Sequence, residues 1–180
     1  MLAPGLSSAR GSLPARDTDP LPGVVANTAI GQGDVMLTPL DVAYLMNAIA
    51  NGGSTRSIQL VQSVIRSGKE SKVERPKEKQ VFSPKTAQLL RDVMVATVEE
   101  GTGRTAKPES GGAGGKTATA ETGWKKDGAA VTQAWFAGFY PADDPRYTIT
   151  VLVEGGTSGG GAAGPIFREI ADGIAALEKD

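Results

Sequence analysis

Three stretches of the chain repeat apolar residues at the spacing of an amphipathic α-helix. The first follows Thr38-Pro39, a capping residue with a proline at the first helical position, and ends at Asn51-Gly52. The second runs from Ser83-Pro84 to Gly101, and the third follows Pro165. We expect an apolar stripe of each helix to face the core. The stripes comprise Val42, Leu45, Met46 and Ile49, then Ala87, Leu90, Val93, Met94, Thr97 and Val98, and finally Ile166, Phe167, Ile170, Ile174 and Leu177.

Other stretches alternate apolar and polar residues, which is typical of β-strands. Strands are predicted at residues 58–65, 116–121, 134–140 and 147–154. The last two flank a turn of prolines and aspartates, so we expect them to form an antiparallel hairpin. Helices followed by antiparallel strands and a final helix predict an α+β fold, in which helices pack on an antiparallel sheet.

Three stretches show neither period. Residues 68–80 carry charges of both signs, which predicts a solvated loop or hairpin. Residues 155–164 are rich in glycine, and we expect residues 159–161 to form a mobile loop. Residues 1–20 contain several prolines and no apolar run of signal-peptide length. We expect them to be a loop or a cut N-terminal segment, and we expect neither an export signal nor an anchor within this chain.

The composition restricts the chemistry that this chain can perform. Its 180 residues, 39% of them hydrophobic, have the size of one compact domain. The 19 basic and 20 acidic residues nearly balance, which disfavours a nucleic-acid surface or a membrane-adsorbing helix. The absence of histidine and cysteine excludes a Ser-His-Asp triad, a thiol nucleophile and a Cys/His zinc site. A proton acceptor would be a lysine of lowered pKa, a carboxylate or a group from another chain, and we expect no metal and no cofactor.

Residues 115–119, with the sequence Gly-Lys-Thr-Ala-Thr, are the strongest candidates for chemistry, and two interpretations compete. A phosphate-binding loop has the form G-x-x-x-x-G-K-[ST], but the fifth residue before Gly115 is Ser110. Such a loop also needs an apolar strand before it and a helix after it, and the sequence predicts neither. The phosphate-loop interpretation is therefore disfavoured.

In the second interpretation the segment is an edge strand. The two-residue period of a strand then places Lys116 and Ala118 on one face and Thr117 and Thr119 on the other. These four residues resemble K-[ST]-G-[ST], the third motif of the penicillin-binding proteins, which are serine D,D-transpeptidases. Alanine stands at the glycine position. Because Ala118 shares the face of Lys116, its methyl group bears on steric fit near the nucleophile and not on carboxylate recognition.

Further segments carry the same resemblance, in the same order, along nearly the whole chain. The monofunctional, high-molecular-weight type (class B) is the most similar. The resemblance implies that residues 21–180 are the C-terminal portion of a transpeptidase domain. The similar segments are Ala29-Ile30-Gly31-Gln32-Gly33, Leu37-Thr38-Pro39-Leu40, Ala48-Ile49-Ala50-Asn51-Gly52-Gly53, Trp135-Phe136-Ala137-Gly138-Phe139, Gly159-Gly160-Gly161 and Pro165-Ile166-Phe167.

The resemblance implies roles for three residues of this region. Lys116 would supply positive charge near the nucleophile, and the backbone N–H of Thr119 would be one of two oxyanion-hole donors. The hydroxyls of Thr117 and Thr119 would bind the terminal carboxylate of a peptidoglycan stem peptide, or the equivalent acid group of a β-lactam. The peptide would lie along the strand by β-augmentation. Because Trp124 is an aromatic residue just past the motif strand, we expect it to line the substrate groove.

The nucleophile is the part of the family pattern that this chain does not contain. Neither S-x-x-K, which supplies the serine, nor S-x-[ND] occurs in the 180 residues. Both would precede Met1 in the order of the family. We therefore expect this chain alone to be inactive, to self-associate through uncovered core surface, and to belong to a protein at the extracytoplasmic face of a bacterial membrane. A catalytically inert binding or scaffold module is the alternative, and a phosphate-binding protein is the third.

Overall fold

The structure is a computed structural model that describes residues 9, 11–13 and 21–178. Most of the loop predicted at residues 1–20 therefore lies outside the described residues. Among the described residues, no helix is long and apolar enough to cross a membrane. The helices are α1 (Pro22–Ala29), α2 (Pro39–Ala50), α3 (Pro84–Glu99) and α4 (Gly164–Leu177), and the strands are β1 (Ser54–Arg56), β2 (Ser63–Arg66), β3 (Lys69–Lys72), β4 (Glu78–Gln80), β5 (Gly114–Lys126), β6 (Ala129–Tyr140) and β7 (Tyr147–Glu154).

The start of α2 is fixed by a reciprocal cap between Thr38, the capping residue that the sequence predicts, and Asp41. The Thr38 hydroxyl accepts a hydrogen bond from the Asp41 backbone N–H at 3.1 Å, and the Asp41 carboxylate accepts one from the Thr38 backbone N–H at 3.0 Å. The Thr38 backbone N–H contributes most to lowering the pKa of Asp41. α3 begins similarly, because the Ser83 hydroxyl accepts from the Thr86 backbone N–H at 3.1 Å. By contrast, α1 has no counterpart among the predicted helices.

The main sheet has the strand order β5-β6-β7 and is antiparallel throughout. β5 pairs with β6 along its length, and β6 pairs with β7 from Gln133 to Tyr140. The predicted hairpin of the last two strands and the α+β fold class are thus confirmed, whereas β5 is longer than the strand predicted at 116–121. Because β6 is the central strand, β5 is an edge strand among the described residues, and one side of its backbone has no strand partner.

Helices cover both faces of this sheet, and a separate apolar cluster lies on each face. On one face, Phe136 of β6 packs against Phe167 of α4, with ring centroids 4.7 Å apart. On the other face, Phe139 of β6 packs with Met46 of α2 and Met94 of α3. Phe136 and Phe139 belong to different clusters because successive strand residues point to opposite faces.

The predicted strand at residues 58–65 is wrong over most of its length. Only Ser63–Arg66 is extended, and it pairs with Lys69–Lys72 in a small exposed hairpin. Leu60 and Ile65 are 58% and 70% exposed, so the alternating pattern has no layer to pack against. The charged stretch at residues 68–80 forms β3 and β4, in which every residue is exposed, as expected for a solvated hairpin.

The expectation that the whole apolar stripe of α4 faces the core is also wrong. Phe167 and Ala171 are fully buried, whereas Ile166 and Ile170 are about 40% exposed and Leu177 is 78% exposed. The side of α4 that packs in the apolar cluster is narrower than the predicted stripe and carries Phe167, Ala171, Ile174 and Ala175. Helical periodicity identifies the side of the helix that faces the sheet, but it does not show how many of the apolar residues on that side are buried.

The glycine-rich segment that was expected to be mobile is packed against the sheet. Residues Gly159–Ala163 form a single π-helical turn, which we call the glycine turn. Gly159 is buried, and its backbone lies over the paired residues Ala118 of β5 and Trp135 of β6. A methyl group on Gly159 would lie 2.6 Å from the Ala118 carbonyl oxygen and would overlap the Trp135 carbonyl oxygen. Glycine is therefore required here for close backbone approach.

We expect Gly159→Ala to destabilise the protein, because the added methyl group meets backbone atoms that cannot rotate aside. The expected loss is about 1–3 kcal/mol of unfolding free energy, the usual range for overpacking, measured by urea denaturation. Gly173→Ala in α4 is the matched control, since its methyl group would have no atom within 4 Å and alanine favours a helix. Equal stability of the two variants would contradict the packing described for the glycine turn.

Apolar side chains remain exposed on all four helices and on the segment before α2. We expect the isolated chain to self-associate through them, because exposed apolar surface of this extent is uncommon on soluble monomers. Light scattering over a wide concentration range should detect oligomers, and a monodisperse monomer that binds no apolar dye would contradict this expectation. The exposed set includes Val24, Val25, Ile30, Met36, Leu37, Leu45, Leu89, Val93, Ile170 and Leu177.

Candidate active site

β5 carries the Lys-Thr-Ala-Thr segment at the open edge of the sheet, and its residues alternate between two environments. Lys116 and Ala118 line a groove on the α2 side of the sheet, whereas Thr117 and Thr119 contact residues on the α4 side. This confirms the alternation predicted from the strand period. It also contradicts the phosphate-loop interpretation, because Lys116 lies inside a strand of 13 residues and not at the start of a helix.

Lys116 places a positive charge beside this edge. Its side chain is exposed, and its ammonium group donates a hydrogen bond to the Thr117 carbonyl oxygen at 2.6 Å. Within the part of the chain that the structure describes, no carboxylate forms an ion pair with Lys116. The charge is therefore available to an anionic ligand that approaches β5.

The Thr117 hydroxyl has a hydroxyl partner from another part of the chain. Its oxygen lies 3.0 Å from the hydroxyl oxygen of Thr102, and either oxygen can be the donor. Thr102 lies in the turn between α3 and a short 3-10 turn at Arg104–Ala106. Thr117 itself is half-buried, so its hydroxyl is held by the protein on one side and accessible on the other.

The Thr119 side chain is held by the glycine turn. Its hydroxyl oxygen accepts a hydrogen bond from the Gly159 backbone N–H at 3.4 Å. Thr119 is nevertheless exposed, because the contact with Gly159 covers only one side of it. The close packing of Gly159 on β5 therefore also sets the position of the second threonine hydroxyl.

The carbonyl groups of Thr117 and Thr119 identify the free edge of β5. The Thr119 carbonyl accepts a hydrogen bond from the Gln32 side-chain amide at 3.5 Å, and the Thr117 carbonyl accepts one from Lys116. Residues two apart in an antiparallel strand direct their backbone groups to the same side, so both carbonyls lie on the side away from β6. Gln32 stands between Gly31 and Gly33, whose φ angles of 73° and 75° lie in the left-handed region that glycine adopts readily.

A mostly apolar groove of about 270 Å³ adjoins Lys116 on the α2 side of β5. It lies between β5 and β6 on one wall and α2, with the segment before it, on the other. Such a groove can accept an apolar group of a ligand that is bound at the edge of β5. The lining residues are Gly31, Val35, Leu37, Val42, Met46, Lys116, Ala118, Ala120, Gln133, Trp135 and Ala137.

Trp124 lies on the same strand but beyond an irregularity in its pairing. The register with β6 shifts between Glu121 and Lys125, and Gly123 within the shift has a φ of 75°. Trp124 is 77% exposed and does not line the groove, where Trp135 is the aromatic side chain. The assignment of Trp124 to the substrate groove stays a prediction.

The site can bind an anion at the end of an extended peptide, but these residues do not form a nucleophile. One ammonium group, two hydroxyls and the free backbone edge of β5 surround the same short segment. A serine activated by a neighbouring lysine would need S-x-x-K, which the sequence does not contain. Within residues 21–178 and the few described residues before them, no cluster of three acidic side chains could hold a metal ion.

Sequence reasoning missed the residues that position the two threonines. Thr102 precedes Thr117 by 15 residues in a turn-rich stretch, and nothing in the local pattern connects the two. Gly159 was interpreted as part of a mobile loop. The sequence places Gln32 between two glycines in a segment that resembles the family, and a polar side chain at that position was the available signal.

The sequence is similar to those of several characterised proteins. It matches the family described as the penicillin binding protein transpeptidase domain over residues 5–172. It is 34% identical over 162 aligned residues to penicillin-binding protein PbpB of Mycolicibacterium smegmatis, and the match covers 81% of this chain and 25% of that protein. It is 36% identical over 155 aligned residues to stage V sporulation protein D of Bacillus subtilis, and the match covers 81% of this chain and 24% of that protein. The chain thus spans about a quarter of the length of these relatives.

The fold is also similar to solved structures. The apo form of penicillin-binding protein 3 from Mycobacterium tuberculosis matches with a TM-score of 0.81 and 32% identity, over 98% of this chain and 42% of that one. The imipenem acyl-enzyme complex of penicillin-binding protein A from the same organism matches with a TM-score of 0.77 and 34% identity, over 96% and 37%. Sequence, fold and the Lys-Thr-Ala-Thr edge strand agree, and the chain belongs to the transpeptidase domain family of the class B penicillin-binding proteins.

Proposed function

We propose that this chain forms one wall of the active site of a serine D,D-transpeptidase that cross-links peptidoglycan stem peptides. In this proposal, residues 21–180 are the C-terminal portion of the domain, and the serine nucleophile lies in an upstream part of the full-length protein. The observation that carries the proposal is the arrangement of Lys116, Thr117 and Thr119 around the free edge of β5. Structures of the similar penicillin-binding protein 3 with aztreonam and with ampicillin support β-lactam binding.

The threonine hydroxyls would bind the carboxylate at the end of the stem peptide. Thr117 and Thr119 lie two residues apart on one face of β5, so one carboxylate can accept a hydrogen bond from each. Hydrogen bonds to an ionised group are roughly twice as strong as neutral ones. Lys116, whose ammonium group lies at the same edge, would add electrostatic attraction and would help to keep the reacting groups of the absent motifs in the required protonation states.

The backbone of β5 would orient the peptide and stabilise the oxyanion. The N–H and C=O of one strand residue point to the same side, so the Thr119 N–H lies on the free edge together with its carbonyl. From there it can donate to the developing oxyanion, and loss of such a donor costs about 10²–10³ in rate. A peptide that adds to β5 by β-augmentation would replace the Gln32 amide at the Thr119 carbonyl. Farther along the strand, Trp124 would contact the more distant part of the substrate.

The full-length protein would act at the extracytoplasmic face of the bacterial cell membrane. The alternative function is a catalytically inert module that binds stem peptides or scaffolds other proteins. The observation that favours this alternative is the lack of S-x-x-K in the 180 residues. The sequence of the full-length protein distinguishes the two, because the transpeptidase requires that motif upstream.

The isolated chain should not be labelled by a fluorescent penicillin, because acylation requires a serine that is activated by a nearby lysine. Labelling is measured by gel fluorescence, with mass spectrometry of the peptides as confirmation. The full-length protein should be labelled under the same conditions and serves as the control. Covalent adduct at any serine of the isolated chain would contradict the proposed location of the nucleophile.

Thr117→Val and Thr119→Val in the full-length protein test carboxylate binding directly. Valine keeps the β-branched shape and the strand propensity while it removes the hydroxyl, so the fold should survive. A hydrogen bond to a charged group is worth about 1.5–3 kcal/mol, so acylation by carboxylate-bearing β-lactams should slow about 10- to 150-fold.

With β-lactam analogues in which the carboxylate is blocked, the acylation rate of either valine variant should fall much less. Lys116→Ala should slow acylation by both kinds of ligand, because the lysine is proposed to act on the nucleophile as well as on the acid group. Acylation of the valine variants at the parental rate would overturn the assignment, as would an equal loss with and without the carboxylate.

A further inference from the structure

We propose that Thr102 is a positioning residue of the carboxylate site. Its hydroxyl donates a hydrogen bond to the Thr117 hydroxyl oxygen, so that the O–H of Thr117 is left to donate to the ligand. This inference rests on the proposed function, in which Thr117 and Thr119 bind the carboxylate of a stem peptide or a β-lactam. It adds a residue that lies outside the Lys-Thr-Ala-Thr segment. The hydroxyl oxygens of Thr102 and Thr117 lie 3.0 Å apart.

The argument begins with the number of protons that each hydroxyl can donate. A threonine hydroxyl has a single O–H donor and two acceptor positions, whereas an ionised carboxylate only accepts. If Thr117 donated to Thr102, it would have no proton left for the ligand. Binding of a carboxylate by Thr117 therefore requires that Thr102 be the donor of the pair.

The second motif threonine shows the same arrangement with a donor whose direction is certain. A backbone N–H can only donate, and the Gly159 N–H lies 3.4 Å from the Thr119 hydroxyl oxygen. Thr119 thus accepts from the protein and keeps its O–H for the ligand. With Thr102 as the donor, the hydroxyls of Thr117 and Thr119 each accept a hydrogen bond from the protein, and each can donate one to the ligand. A hydroxyl that accepts a hydrogen bond is also a stronger donor.

The segment that carries Thr102 is fixed to the same structural unit that holds Thr119. A methyl group on Gly160 of the glycine turn would lie 2.8 Å from the Thr102 carbonyl oxygen, so the two backbones are in close contact. The Thr105 hydroxyl donates to the Gly160 carbonyl. On its other side, the Gly103 N–H donates to the Thr97 carbonyl of α3 at 3.0 Å. The backbone at Thr102 is therefore fixed on both sides, which keeps its side chain beside Thr117.

The consequence is a selective effect on ligands that carry a carboxylate. Thr102→Val keeps the shape of the side chain but leaves the Thr117 hydroxyl without its internal donor. The expected loss in acylation is about 3- to 10-fold, the effect of one neutral hydrogen bond. Thr102→Ser keeps the donor and should acylate within about twofold of the parent.

The test measures acylation of the full-length protein by benzylpenicillin and by its methyl ester, in which the carboxylate is blocked. Thr102→Val should slow acylation by benzylpenicillin and leave acylation by the ester within about twofold of the parent. In a Thr117→Val background, Thr102→Val should add no further loss, because the partner hydroxyl is already absent. Thr86→Val is the matched control, since it also removes one member of a hydroxyl pair, at 2.8 Å from Ser83, but lies at the start of α3.

The outcomes separate this inference from the proposed function. Parental rates for Thr102→Val, an equal loss with both compounds, or additive losses with Thr117→Val would overturn the role of Thr102 alone, provided that Thr117→Val is still selective for benzylpenicillin. If Thr117→Val shows no selectivity, or the full-length protein is not acylated, the proposed function fails and the inference with it. Thermal unfolding of each variant checks the fold, and Thr102→Ser restores the parental rate only if the hydroxyl is what matters.

Discussion

A strand that binds a ligand along its edge must stay ordered although one side of its backbone has no partner strand. In this protein the order comes from the close approach of Gly159 to the paired backbones of Ala118 and Trp135, which only glycine permits. That contact holds the glycine turn against β5. The Gly159 N–H of the glycine turn then donates a hydrogen bond to the Thr119 hydroxyl and positions it. The side chains of Lys116 and Gln32 donate to the Thr117 and Thr119 carbonyls, so these two acceptors on the free edge have partners within the chain.

The sheet separates the chemistry of the site into two halves that meet only at its edge. The charge of Lys116 and the apolar groove lie on the α2 side, and the threonine hydroxyls lie on the α4 side. A ligand on either face could reach only one half. A peptide that lies along the edge of β5 can contact the ammonium group, the hydroxyls and the backbone together, which is why an edge strand suits this binding mode.

Much of the local structure could be predicted because its causes lie within a few residues. The capping contact of Thr38, the predicted N-cap, spans three residues, and the alternation of Lys116 to Thr119 is a property of any strand. The resemblance to the penicillin-binding proteins also came from short motifs in a fixed order. Prediction failed where burial decides, as at residues 58–65, whose alternating pattern has no layer to cover it.

The sequence by itself determined the starts of α2, α3 and α4, the hairpin of β6 and β7, the family and the residues of the candidate edge strand. Only the tertiary structure decided which residues position them. The contact of Thr102 with Thr117 joins residues 15 apart, and that of Gly159 with Thr119 joins residues 40 apart. Such contacts produce no periodic pattern in the sequence, because they depend on how the glycine turn and the end of α3 pack against β5. A glycine needed for close packing has the same letter as a glycine needed for flexibility, and only the neighbouring backbone distinguishes them.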